Sequence, residues 1–433
     1  MTMRTAETPT PKHAETTGGA SPLRVLSLFS GCGGMDLGFE GAFVANRKSF
    51  ADDDPRVERE VAPGWVRLRK TRFETVFAND ILPEAREGWT CYMRRFGHSA
   101  DLFHSQSVVE LVKRHRGGER VFPADVDVVT GGFPCQDFSL AGKRRGFDSQ
   151  KDDMGRRRED DRPTEENRGK LYFWMKQVID IVRPKVFVAE NVKGLVSLGD
   201  VKDIIQSDFA SAGEAGYVVL SPRVLHAGDY GVPESRERVI FIGVRRDALR
   251  PEALEALEAE AVAPDYDPYP RPTHACTAAG DGLLPPVTTY DVLRGLPEPE
   301  DASDDASQAA FSKARYIGPG SQGQTEIRLS GLGPTIRSEH HGNIEFRRLS
   351  AEHGGKHHDE LAAGLPERRL TPRECALIQT FPPDYQFVIP GEGRRGFKLS
   401  ASGAYKIIGN AVPPVLAFNI ATRLEELWER YFR

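Results

Sequence analysis

Along the first 250 positions, short aliphatic and β-branched runs alternate with stretches of helical spacing. The runs are 23–29 (LRVLSLF), 75–79 (TVFAN), 126–129 (VDVV), 186–189 (VFVA) and 239–244 (VIFIGV), each ending in glycine, an acid or a polar cluster. Runs of this length, bounded by turn residues, read as strands buried on both faces, so the fold class is α/β with a largely parallel sheet. Helices are predicted at 83–96, at 171–181, where Leu171, Trp174, Met175, Val178 and Ile181 share a face, at 253–263, and at 414–432. The apolar face of the last helix is expected to pack back on the first strand, which makes the large domain discontinuous. Two stretches break the rhythm: 47–71 and 148–167 mix charges without an apolar period and read as surface insertions.

Composition narrows the class without choosing a function. Five cysteines, Cys32, Cys91, Cys135, Cys276 and Cys375, are odd in number and far apart, which argues against a disulfide framework and for a reducing cytoplasm. Residues 1–21 are rich in Thr, Pro and Ala and read as a disordered tail, neither signal peptide nor membrane span. A net charge of -5 excludes a chain that is basic throughout, yet a local basic face for nucleic acid remains compatible with it.

The chemistry gathers at the ends of the strands. After 126–129 comes Gly131-Gly132-Phe133-Pro134-Cys135-Gln136, so Cys135 sits at a strand's carboxyl end, the edge where open α/β sheets bind ligands. By itself a buried structural cysteine is the simpler reading; the neighbouring motifs favour chemistry. The first strand runs into Ser30-Gly31-Cys32-Gly33-Gly34, either a plain strand-to-helix turn or a place where a cofactor approaches the backbone. Asp80, after the second strand, can accept from a ribose diol or cap the next helix, and Asp101 can accept from an adenine amine or lie in a solvated loop. Glu190 ends the strand at 186–189; facing a thiol, an acid of raised pKa can protonate a ring nitrogen, against a capping or ion-pair role. Arg236 and Arg238 alternate at the start of the last strand and are expected on one side, seeking anions or carbonyls, or pairing with acids such as Glu237.

Taken together, Phe29-Ser30-Gly31-Cys32-Gly33-Gly34, Gly132-Phe133-Pro134-Cys135-Gln136, Glu190-Asn191-Val192, Arg236-Glu237-Arg238, Arg369-Leu370-Thr371-Pro372-Arg373-Glu374 and Gly409-Asn410-Ala411-Val412-Pro413-Pro414 resemble the ordered motifs of the DNA cytosine-5 methyltransferases. The resemblance implies a Rossmann-like S-adenosylmethionine-dependent fold (22–265, completed by 400–433) and a smaller, mostly irregular and β target-recognition domain (266–399). It implies Cys135 as nucleophile, Glu190 on ring nitrogen 3 of a flipped cytosine, and Arg238 with Arg236 on the base's carbonyl and the loop. It further implies S-adenosyl-L-methionine held by Phe29, Gly31, Gly33, Gly34, Asp80, Asp101, Pro134, Asn410 and Val412, with Gln136, Ser139, Arg168, Thr335 and Arg337 on DNA. Glu234 departs from the pattern, standing where the family has glutamine, and the 148–167 tract is longer than usual.

The expected partner is double-stranded DNA, with a restriction endonuclease acting on the same site; the protein is expected to be a monomer away from membranes. In the recognition region, Thr335-Ile336 resembles the family's threonine-aliphatic dipeptide. His340, His341, His353, His357 and His358 invite a zinc reading, but Gly354-Gly355 argues against a helical histidine pair and no metal is expected. The alternative activity is a tRNA cytosine-5 methyltransferase of the same fold. A silent DNA-binding regulator would be expected to lose Cys135 or Glu190, and a small-molecule methyltransferase would not need the second domain.

Overall fold

The computed structural model describes residues 21–134, 171–338, 343–392 and 396–432. In chain order the strands are β1 (Leu23–Leu28), β2 (Val44–Asn46), β3 (Val57–Ala62), β4 (Trp65–Leu68), β5 (Phe73–Asn79), β6 (Phe103–His104), β7 (Val128–Gly132), β8 (Val186–Val192), β9 (Tyr217–Val219), β10 (Arg223–His226) and β11 (Glu237–Arg245). Four short strands follow, β12 (Phe346–Arg348), β13 (Arg368–Arg369), β14 (Ile389–Pro390) and β15 (Phe397–Leu399). The helices are α1 (Gly34–Glu40), α2 (Pro83–Met93), α3 (Val108–Arg116), α4 (Leu171–Val182), α5 (Val201–Ala210), α6 (Pro251–Glu258), α7 (Thr289–Leu293), α8 (Ala306–Ala309), α9 (His358–Ala362), α10 (Pro372–Ile378), α11 (Ala401–Asn410) and α12 (Pro414–Tyr431).

The main sheet has the order β10-β11-β8-β7-β1-β5-β6, with β9 on β11. β1 is parallel to both β5 and β7, β7 to β8, and β5 to β6, while β11 runs antiparallel to β8, β9 and β10. Side chains alternate across the sheet, so each central strand feeds two cores. Val25, Val128, Val188 and Ile242 join the core that also holds α1, α2 and α12, whereas Leu26, Val129, Phe187 and Phe241 join the core under α3, α4 and α5.

The last helix shares one hydrophobic core with Leu23 and Val25 of the first strand. α12 packs on α1, and its Trp428 ring lies edge-on to Phe73 of β5 at 6.0 Å. Its buried set, Val415, Leu416, Phe418, Ile420, Leu424, Leu427 and Trp428, is worth about 1.5–3 kcal/mol per side chain, a total comparable to a domain's whole net stability. Together α11 and α12 are apolar and long enough to resemble a membrane span, but the most apolar window is 89% buried inside the protein.

The stretch at 47–71 is also more regular than its charges implied. β3 and β4 form a hairpin around Gly64 (φ 78°), and β2 completes a three-stranded antiparallel sheet. The period-two signal was short: Val66 and Leu68 are buried, while β3 faces solvent almost throughout. The insertion braces the molecule through Lys48 Nζ to Asp291 Oδ1 at 2.7 Å and Arg56 Nη1 to Asn419 Oδ1 at 2.8 Å. Between residues 266 and 399, irregular chain carries short helices and two-stranded sheets, with more of the described residues in helix than in strand.

Candidate active site

The carboxyl edge of β1, β5, β7 and β8 carries most of the residues singled out from the sequence. At the end of β1 the chain turns through Phe29 (φ 51°), Gly31 (φ 54°) and Gly33 (φ 81°), left-handed geometry that glycine adopts without a Cβ penalty, and α1 starts at Gly34. Asp80 Oδ2 accepts from the Gly31 N–H at 3.0 Å and its Oδ1 from the Leu82 N–H at 2.9 Å. Asp80 therefore ties the glycine turn to Leu82, the residue before α2, without capping the helix, and the carboxylate lies beside the turn. The turn is closed from the other side by the C-terminal segment: a Cβ on Gly34 would stand 2.2 Å from the Val412 carbonyl oxygen. Asn410 ends α11 and is exposed.

Asp101 is placed differently from the expectation. It lies in an exposed helical turn capped by Ser99, before β6, whose His104 aligns with Asn79 at the end of β5. In a parallel pair this puts Asp101 toward the amino end of its strand, away from the ligand edge. Gln106 occupies the carboxyl end instead. Asn79 Nδ2 donates to the carbonyls of His104 and Gln106, both at 2.8 Å, and Gln106 Oε1 is buried with no hydrogen-bond partner among the described residues. An orphaned acceptor next to Asp80 is a signal that only the fold reveals.

On β7 and β8, Gly132 pairs with Glu190 in register. Glu190 leans over that glycine, since a Cβ there would come within 2.8 Å of its Oε2, and its Oε1 holds Arg238 Nε at 2.7 Å. Burial pushes the Glu190 carboxyl up, opposed by the charges of Arg238 and Arg236 and by the Arg238 hydrogen bond. Asn191 Nδ2 donates to the Phe133 carbonyl at 3.1 Å, fixing the chain just before Pro134 and Cys135. Cys135, Gln136, Ser139, Arg168, His340, His341 and the 148–167 tract lie outside the described residues.

The two arginines separate. Arg238 turns to Glu190, whereas Arg236 is 1% exposed and spans to two distant segments, giving Nη1 to the Ile336 carbonyl at 3.0 Å and Nη2 to the carbonyls of Gly409 and Ala411 at 2.9 and 2.8 Å. Thr335 Oγ1 donates to the Ser235 carbonyl, and Arg337 is exposed with its backbone against Gly409. Of the candidate histidines in view, His353 pairs with Glu367 and His357 with Arg347 and the Ile327 carbonyl, and no metal-ligand cluster occurs among the described residues.

This edge joins a glycine turn for a polar cofactor to a buried acid–arginine pair beside the strand that leads to a cysteine. A sequence model of the family described as C-5 cytosine-specific DNA methylase matches residues 23–426. The chain belongs to the C-5 cytosine-specific DNA methylases. Among similar proteins, the Type II methyltransferase M.BsuRI of Bacillus subtilis is 32% identical over 418 residues, covering 92% of this chain and 78% of that protein. The Type II methyltransferase M.BspRI of Lysinibacillus sphaericus is 31% identical, covering 94% and 83%. The fold of this methylase is shared with S. pombe Dnmt2 methyltransferase at 16% identity and a TM-score of 0.52, over 94% of this chain and 99% of that one. Spodoptera frugiperda DNMT2 is similar at 16% identity, with a TM-score of 0.54 and the same coverage. With the family and its Type II relatives on DNA, the methylase is a DNA cytosine-5 methyltransferase in preference to a tRNA enzyme.

Proposed function

We propose that the protein transfers a methyl group from S-adenosyl-L-methionine to carbon 5 of a cytosine flipped out of a specific duplex DNA sequence, in a restriction-modification system. The buried Glu190–Arg238 pair, leaning over Gly132 on the strand that runs into Cys135, is the observation that carries this reading.

The residues beside the glycine turn fit the cofactor. Gly31 has open space where a Cβ would be, Asp80 offers a carboxylate at the same turn, and Gln106 holds an unpartnered buried acceptor one strand away. Phe29, Gly31, Gly33, Gly34 and Pro134 would line this site, Asp80 would hold the ribose, Gln106 rather than Asp101 would take the adenine amine, and Asn410 and Val412 would close it. When bound, S-adenosyl-L-methionine supplies an electrophilic methyl group.

Cytosine carbon 5 is a poor nucleophile until a thiolate adds at carbon 6, and a thiolate is the side chain best suited to do so. Cys135 forms that carbon–sulfur bond while Glu190, whose carboxyl burial raises, delivers a proton to ring nitrogen 3. Arg238 holds Glu190 in place and faces the base's carbonyl. After carbon 5 is methylated, its proton leaves to a base, the carbon–sulfur bond breaks and the nitrogen proton returns to Glu190. A base inside the duplex is out of reach, so flipping precedes all of this at a cost of a few kcal/mol. Gln136, Ser139, Arg168, Thr335 and Arg337 are the proposed DNA contacts, residues 266–399 the recognition domain, and a monomer with a cognate endonuclease the proposed setting.

Labelled methyl transfer to duplex DNA and to tRNA, followed by bisulfite sequencing of DNA from expressing cells, tests the reading and reports the target. Cys135→Ser is expected to abolish transfer and leave cofactor binding nearly unchanged; turnover at the wild-type rate in that variant rules the mechanism out.

A further inference from the structure

The glycine turn is gripped by a side chain from far along the chain. Tyr385 follows α10, inside the proposed recognition domain, and is 0% exposed. Its hydroxyl donates to the Cys32 carbonyl, in the middle of the turn, at 2.6 Å and lies 3.0 Å from the Gly88 carbonyl of α2. The hydrogen bonds of α1 begin with the Leu37 N–H on the Gly33 carbonyl, so the Cys32 carbonyl lies outside that helical ladder and takes its donor from elsewhere in the chain.

The ring that carries this hydroxyl is fixed on both faces. Tyr92 of α2 and Phe387 each stack on it with ring centres 4.3 Å away and planes within 11° and 15° of parallel, and Phe381 meets it edge-on at 5.2 Å. Its backbone is anchored as well. Arg373 of α10 gives Nη1 to the Tyr385 carbonyl at 2.8 Å and Nε to Asp305 at 2.7 Å, while the Ser307 hydroxyl oxygen accepts from the N–H groups of Phe387 and Val388 at 3.0 and 2.9 Å. Two polar bridges therefore cross between the glycine turn and the α2 segment. Asp80 joins the Gly31 N–H to the Leu82 N–H, and one residue further along the turn Tyr385 joins the Cys32 carbonyl to α2. The crossing is close: a Cβ on Gly88 would stand 3.5 Å from the Cβ of Cys32 and 3.0 Å from Ile407. Gly31 and Gly33 bring no side chains to pack, so the bridges set the way the turn faces the site.

We propose that Tyr385 is a positioning residue for the cofactor: its hydroxyl holds the Cys32 carbonyl so that the glycine turn and Asp80 keep the spacing S-adenosyl-L-methionine requires. The proposed recognition domain thereby helps to build a site that lies on the other domain, an inference that rests on the cofactor part of the methyltransferase reading. Without the hydroxyl, the buried Cys32 carbonyl loses its donor, and leaving such a group unpaired costs more than moving the turn toward a new partner. The stacked ring stays in place meanwhile, so the effect falls on the turn rather than on the packing around it.

Tyr385→Phe removes the one oxygen and keeps the ring. Tyr405→Phe is the matched comparison, since Tyr405 is also 0% exposed and its hydroxyl accepts from the Ser312 N–H at 3.2 Å and donates to the Leu370 carbonyl at 2.7 Å, neither of them in the turn. Calorimetric titration of the full-length proteins with S-adenosyl-L-homocysteine, run beside thermal unfolding, separates positioning from stability. Both variants are expected to lose a similar few degrees of melting temperature, as for one buried hydrogen bond. Tyr385→Phe alone is expected to bind S-adenosyl-L-homocysteine about tenfold more weakly, with Tyr405→Phe within about twofold of wild type. In methyl transfer, Tyr385→Phe is expected to raise the KM for S-adenosyl-L-methionine by the same factor while kcat and the KM for duplex DNA stay near wild type. Wild-type cofactor affinity in Tyr385→Phe, or an equal loss in both variants, overturns the proposal. If the wild type binds S-adenosyl-L-homocysteine but methylates no DNA, a loss confined to Tyr385→Phe upholds the tether and the proposed reaction falls.

Discussion

Gly132→Ala probes the acid–arginine pair without touching either charged group. The added Cβ would stand 2.8 Å from Glu190 Oε2, roughly 0.6 Å inside ordinary carbon–oxygen contact. A free glutamate would swing aside at little cost, but Glu190 is buried and its other oxygen is held by Arg238 at 2.7 Å, so the carboxyl group and the guanidinium must move together. Gly132 has no left-handed backbone angle to lose, so the penalty is overpacking, about 1–3 kcal/mol of stability. Catalysis is the more sensitive readout, since a displacement of under about 1 Å in a positioned acid can cost up to 100-fold, or about 2.7 kcal/mol of barrier. In single-turnover methyl transfer, the expected rate is about 10–100-fold below wild type, with cofactor affinity within about twofold. A wild-type rate in a folded Gly132→Ala enzyme would refute the claim that this glycine exists to seat Glu190.

Glu190→Gln is expected to lower methyl transfer by about 100-fold or more, as for loss of a general acid. Because burial raises the Glu190 carboxyl, its neutral form favours the fold below the ordinary carboxyl range and that advantage fades as pH rises through the elevated value; the variant's melting temperature is expected to fall less with pH, and identical slopes would contradict this. Gln106→Ala is expected to weaken S-adenosyl-L-methionine binding about tenfold in calorimetry, and Asp101→Ala to leave it unchanged; the reverse order would restore Asp101 to the site. Gly34→Ala drives a Cβ to 2.2 Å from the Val412 carbonyl and is expected to cost about 3 kcal/mol or more in urea unfolding; a loss under about 1 kcal/mol would mean that the C-terminal segment yields easily.

The carboxyl-edge site was legible where chemistry coincides with a strand end. Gly31, Asp80, Pro134 and Glu190 each follow a compact aliphatic run, and the parallel register brings those ends to one edge. Asp101 stands before β6 rather than after it, an order hidden from the sequence because β6 has only two residues, too few to show a period. The role of Arg236 was hidden for a different reason: its acceptors are carbonyls 100, 173 and 175 residues away, and a carbonyl leaves no mark in side-chain identity. The hairpin at 57–68 escaped because β3 buries almost nothing, leaving mixed charge as the dominant signal.

The packing of α12 on α1 also bears on how the enzyme comes into being. The helix that begins at the glycine turn is made early on the ribosome, but the side chains that cover it, from Val415 to Trp428, are translated almost four hundred residues later. Until then α1 leaves an oily face open to chaperones or to aggregation, and Val412 is not yet there to shut the turn. A nascent chain stalled before that last stretch would carry the acid and the arginines yet be unable to modify its host's DNA.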